Sequence, residues 1–174
     1  IIVVAPATNR PLTVAGTGIE LRPLLHSAAA WDEPQPAQLE IPYELEHGQT
    51  GSVTGENSSP RVTFAFRSAK GTTGLLQITD FTENPRGVKL RYKLVQKAAA
   101  PAVTAIVPAA LSYGPVVERV LYPVASVQTD CIDFDQGAVG DLPSALETNY
   151  ALKYGWMAER GFDALVWRQD GLEC

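Results

Sequence analysis

Cysteine and histidine are nearly absent from this chain. The two Cys, Cys131 and Cys174, are too few for a disulfide framework or a thiolate zinc site. They leave two readings open: one bridge tying the C-terminus to the start of the last structural unit, or two unpaired thiols. Neither His26 nor His47, the two histidines, stands at metal-ligand spacing from another His or Cys. No Gly-x-Ser-x-Gly elbow marks a hydrolase nucleophile. Gly16-Thr17-Gly18 lacks the third glycine and the following helix that a dinucleotide-binding turn requires. A basic stripe is missing too: 14 Lys and Arg are dispersed among 19 Asp and Glu, for a net charge of −5. Nothing here suits a phosphate backbone, and no nucleic-acid partner is expected. No apolar run nears the roughly 20 residues of a bilayer-spanning helix, so membrane insertion by this fragment is not expected. The chain opens at Ile1 with no secretory n-region, h-region or cleavage site, which reads as a processed chain or a piece of a longer one.

What is present describes a sheet. Hydrophobic residues make up 45% and charged residues 19%, within the globular range. Thirteen Pro and 14 Gly cut the chain into short runs rich in Val, Ile, Thr and Tyr, the composition of strands joined by turns. Residues 61–96 carry the clearest pattern. Val62, Phe64 and Phe66 alternate with polar or small neighbours, a strand resumes at Leu75, and Val88, Leu90, Tyr92 and Leu94 alternate with Lys89, Arg91 and Lys93. Turns at 70–74 and 83–87 separate them, so a three-stranded antiparallel meander is expected, with the basic row on its solvent face. Residues 38–46 also alternate and predict an edge strand, because Pro42 cannot donate to a neighbour. Ala28 to Trp31 suits one helical turn ended by Pro34 and Pro36. Residues 142–160 predict the one main helix, with Pro143 in its first turn and Gly161 as its C-cap. Strands are expected on either side of it, near 116–122, 131–134 and 162–167.

The expected fold class is therefore α+β and strand-dominated, an antiparallel meander or sandwich-like sheet with one main C-terminal helix. A soft boundary at the Ala-rich 97–101 stretch divides a strand-rich region, 1–97, from a strand-strand-helix-strand region, 101–174; one continuous domain is the other reading.

Candidates for function are sparse. Asp130, Asp133 and Asp135 form the densest carboxylate group, beside Gly137 and Gly140. Hard oxygen ligands on a short Gly-bearing loop suit Ca²⁺, though the spacing is not that of an EF-hand. The simpler reading is a turn capped by Asp135 and closed at Gly137, with no cofactor. Ile1, Ile2, Val3 and Val4 form an apolar run bounded by Pro6, suited to adding to a neighbour's open sheet edge. Trp31, next to an acidic Pro-rich loop, is the aromatic expected to be exposed for a partner contact, whereas Trp156 and Trp167 are expected in the core. Asn57-Ser58-Ser59 matches the glycosylation triplet.

The tract from Gly74 to Val95, the tract from Gly114 through Asp133-Phe134-Asp135-Gln136-Gly137, and the closing segment from Trp156 to Cys174 carry a resemblance. They resemble poorly characterised regions of bacterial regulatory proteins: membrane-anchored sensor or antirepressor-type proteins and sigma-factor-linked proteins of planctomycete-like bacteria. The resemblance implies an extracytoplasmic placement, periplasmic or at the cell surface, and assigns no catalytic residue. Together these readings predict a non-enzymatic interaction module that contacts a protein partner or a second copy of itself. The alternative is a self-assembling subunit of a surface layer or filament.

Overall fold

Alternating apolar and polar residues give a strand two unlike faces, and a sheet made of such strands must cover both. The computed structural model describes residues 2–4, 12–16, 19–24, 29–32, 39, 63–96, 112–122, 130–146 and 149–168. In chain order the elements are β1 (Ile2–Val4), β2 (Leu12–Gly16), β3 (Glu20–Pro23), α1 (Ala29–Asp32), β4 (Thr63–Arg67), β5 (Thr73–Glu83) and β6 (Arg86–Gln96). Then follow β7 (Ser112–Tyr113), β8 (Val117–Leu121), β9 (Cys131–Asp133), β10 (Ala138–Gly140), a 3₁₀ turn (Ser144–Leu146), α2 (Tyr150–Arg160) and β11 (Ala164–Arg168). The fold is α+β and strand-dominated, with antiparallel sheets and one main helix.

The expected meander is β4-β5-β6, paired through Phe64↔Leu76 and Leu76↔Tyr92. It forms the centre of a six-stranded sheet ordered β3-β4-β5-β6-β7, with β8 also pairing β6 through Leu90↔Arg119 and Arg91↔Glu118. The second sheet has five strands ordered β1-β2-β11-β9-β10, every neighbour antiparallel. Both sheets draw strands from either side of residues 97–101: β2 pairs β11 in one, and β6 pairs β8 in the other. The regions 1–97 and 101–174 thus interleave.

Each sheet buries both faces. Phe64, Phe66, Leu76, Ile78, Val88, Leu90, Tyr92 and Leu121 of the six-stranded sheet meet Ile132, Phe134, Ala164 and Val166 of the other. At the centre of this layer Phe134 lies 5.0 Å from both Phe66 and Tyr92, ring centroid to centroid. Each such buried ring contributes about 1.5–3 kcal/mol of transfer free energy. The odd-numbered partners face outward. Ala65 and Leu75 pack with Leu24, Ala30, Trp31 and Leu39, so α1 covers the far face of the six-stranded sheet. Cys131 and Leu165 pack with Leu142 and Met157, so α2 covers the far face of the five-stranded one.

Two local expectations are corrected. The helix begins at Tyr150, capped by the Asn149 side chain on Leu152 N, rather than at 142; Pro143 instead starts the 3₁₀ turn, its carbonyl accepting from Leu146 N at 2.8 Å. An Asn that can accept from the first turn sets a helix start more firmly than a Pro that merely tolerates it. Gly161 does end the helix, at φ 75°. Leu39, the described residue of the 38–46 stretch, is helical and buried rather than extended. Residues 138–140, for which the sequence pattern assigns no element, form β10.

Candidate functional site

The structure gathers a carboxylate cluster different from the expected one. Oxygens of Asp133, Asp135 and Asp163 lie within 4.8 Å of one another, where β9 turns toward β10 and α2 runs into β11. Asp130 is elsewhere: its Oδ1 accepts Leu142 N at 2.8 Å, and it accepts a hydrogen bond from the Cys131 thiol. Asp163 was not legible because it stands 28 residues beyond Asp135 and meets it only through the pairing of β11 with β9.

Most of the cluster's oxygens are already engaged. Asp133 Oδ1 accepts Asp135 N at 2.8 Å and Gln136 N at 3.0 Å, so Asp133, two residues before the expected Asp135, caps the turn that Gly137 closes at φ 68°. Asp163 Oδ2 accepts Phe134 N at 2.8 Å and its Oδ1 accepts Ala69 N at 3.3 Å. Asp135 Oδ1 accepts Ser68 Oγ at 3.2 Å. The cation is Lys70, on the β4–β5 turn of the opposite sheet, 3.1 Å from Asp133 Oδ2 and 3.8 Å from Asp135 Oδ2. Its hydrogen bond to Asp133 pushes the Lys70 pKa up, and burial pushes the Asp163 carboxyl up. A divalent ion would need Asp133, Asp135 and Asp163 as ligands. It would have to displace Lys70 and compete with four backbone N–H groups, so these residues fit an inter-sheet latch better than a Ca²⁺ site.

Two of the three cations in the basic row of β6, Arg91 and Lys93, are not on a solvated face. Arg91 lies 4.2 Å from the Trp31 ring centroid, and Lys93 Nζ 4.8 Å from it and 4.5 Å from that of Tyr113. Lys93 Nζ also donates to the Trp31 carbonyl at 2.6 Å, and burial lowers its pKa. Arg91 Nε donates to Gln77 Oε1 at 2.9 Å, and Lys89 pairs with Asp80 at 3.0 Å on the surface. Trp31, expected to be exposed, is 4% exposed. A ring that can stack on two cations and cover Leu75 gains more from that face than from water.

Cys131 is fully buried, and burial raises its thiol pKa far above the ordinary range, so it is an inert core thiol rather than a nucleophile. Cys174, His26, His47, Asn57 and Ile1 lie outside the described residues, as does any Cys131–Cys174 bridge. The Trp156 ring stacks on Phe162 at 5.6 Å, under Arg160. The Trp167 side chain also lies outside the described residues.

The sheets differ at their edges. β3 ends in Arg22 and Pro23, and the β7–β8 edge is broken by Gly114 and Pro115 and carries Glu118 and Arg119: both are protected against further pairing. The five-stranded sheet is bounded by Ile2-Val3-Val4 in β1 and Ala138-Val139-Gly140 in β10. Neither strand has a charge or a Pro, and Val139 is 38% exposed. Among the described residues no helix is long and apolar enough to cross a membrane. Compared with family models, curated proteins and solved structures, the chain matches none.

Proposed function

We propose that the chain is a non-enzymatic, extracytoplasmic interaction module that takes a partner's strand at the β1 edge of its five-stranded sheet. One observation carries this: the apolar β1 is outermost in the sheet order, paired on one side to β2, with no strand on its other side among the described residues. Free backbone donors and acceptors along such an edge supply affinity, and alternate side chains supply selectivity.

Self-assembly is the second reading, favoured by the second unprotected edge at β10. Because five strands all run antiparallel, β1 and β10 point the same way. Antiparallel joining of two copies that keeps corresponding sheet faces on the same side therefore needs like edges, β1 to β1 or β10 to β10, across a two-fold axis.

Cross-linking mass spectrometry on the chain with candidate protein partners, alongside light scattering, tests both. Cross-links should fall at β1, and Val3→Lys should abolish association in a variant whose thermal melt shows that it still folds cooperatively. Association that survives Val3→Lys, or a chain that stays monomeric and silent in a thermal-shift screen of partners, rejects the β1 reading. Loss only on Val139→Lys would move the contact to β10.

A further inference from the structure

On the outer face of the six-stranded sheet, beyond the part that Trp31 covers, lies a groove of about 510 Å³ lined by Thr79, Lys89, Leu90, Arg91, Glu118, Arg119 and Val120. That volume is in the range of small-molecule sites. Its geometry follows from the β6 register. Arg91 stands directly between Gln77 on β5 and Glu118 on β8. It leans toward β5, where Gln77 and the Trp31 ring hold it, and makes no ion pair with Glu118. Only the Nε donor is spent on Gln77; a guanidinium has five. A register shift between Ile78 and Asp80 places Thr79 at a bulge beside the groove, the kind of irregularity that re-aims a side chain.

The charges decide what fits. Lys89 is neutralised by Asp80, and Arg119 is turned to the other face, its Nε and Nη2 on the Gly137 carbonyl at 3.1 and 2.9 Å. That leaves one cation, Arg91 on β6, and one exposed carboxylate, Glu118 on the neighbouring β8, unpaired with each other. A simple anion would be attracted by one wall and repelled by the other, and so would a simple cation. We propose that this groove binds a small zwitterion, such as an amino acid or short peptide, with its carboxylate on Arg91 and its ammonium on Glu118.

The test is an amide-shift titration of the intact chain with amino acids and dipeptides, with acetate and methylammonium as half-molecules. Zwitterions should give saturable shifts at Thr79, Arg91, Glu118 and Val120, with each half-molecule at least about tenfold weaker. Glu118→Gln, an exposed change that leaves the fold intact, should weaken the zwitterion about tenfold and strengthen acetate, whose repulsion it removes. Arg91→Lys should weaken zwitterion and acetate alike. No saturable shift up to about 10 mM, acetate binding as well as the zwitterion, or an unchanged affinity in Glu118→Gln would each overturn the proposal. Light scattering on the same samples keeps this outcome separate from that of the β1 edge.

Discussion

On the outer face of the six-stranded sheet the half-buried charges are cations, Arg91 and Lys93, and an aromatic ring packs against them. At the end of the five-stranded sheet the buried charges are carboxylates, Asp133 and Asp163, satisfied by backbone N–H groups and a single ammonium. The difference follows from the side chains. Arg and Lys have apolar stems and diffuse or tethered heads that tolerate a ring above them. A carboxylate has no such stem, and once buried it must find donors. The first cluster therefore depends on one side chain, Trp31, whereas the second depends on where the backbone of three loops has been placed.

The largest expected effect lies in the first cluster. Trp31→Ala should cost about 3–5 kcal/mol, as for other buried aromatic truncations, and should let the depressed Lys93 pKa rise toward its ordinary value. Urea denaturation and lysine side-chain NMR read the two effects; a loss below about 1 kcal/mol would mean that α1 is a cover the sheet does not need.

Next comes the second cluster. Asp163→Ala strands the N–H groups of Phe134 and Ala69, at roughly 2–4 kcal/mol for the two together, and Asp163→Asn, which keeps one acceptor, should cost less. The pH dependence separates charge from hydrogen bonding. The Asp163 pKa is raised above 3.8 by burial, so the native state holds this proton more tightly than the unfolded chain. Its contribution is therefore fully present in acid, below the unfolded value, and is lost as pH rises through the folded one. The stability of the natural chain relative to Asp163→Asn should fall over that window, as read by thermal melts. A flat difference would show that the carboxylate's charge is fully compensated by Lys70.

A smaller effect sharpens the geometry between the sheets. Gly161 sits at φ 75°, and a Cβ there would lie 3.4 Å from Lys70 Nζ and 3.5 Å from Asp133 Oδ2. Gly161→Ala should cost about 1 kcal/mol through the left-handed backbone alone; a larger loss in a chemical-denaturation curve would mean that the Lys70 latch is disturbed as well. The smallest expected change is a null one: the buried Cys131 should resist alkylation in the native state and react on unfolding, as peptide mapping would show.

Much of the fold was legible because it is local. Alternation at Val88, Leu90, Tyr92 and Leu94 identifies a two-faced strand whatever lies on each face, and Gly161 announces a helix end through its own φ preference. The candidate site was less so. A strand pattern separates the two faces of β6 without saying what covers the polar one, so it shows that Lys89, Arg91 and Lys93 share a face but not that Trp31 packs on Arg91 and Lys93 while Lys89 stays at the surface. Trp31 looked exposed because its neighbours in sequence are Ala and an acidic loop, while its neighbours in space are Leu75, Arg91 and Lys93. Asp130 was grouped with Asp133 and Asp135 by proximity along the chain, yet the turn sends it to Leu142 and brings in Asp163.

By itself the sequence determined the strand-dominated α+β class, the β4-β5-β6 meander and the C-terminal limit of α2, all of which depend on spacings of a few residues. Tertiary structure alone decided that β2 pairs β11, that Lys70 reaches across to Asp133, and that β1 and β10 stand outermost among the described strands of their sheet. Such pairings join residues from tens to about 150 positions apart, and they are set by which faces can be buried together, a quantity no local window contains.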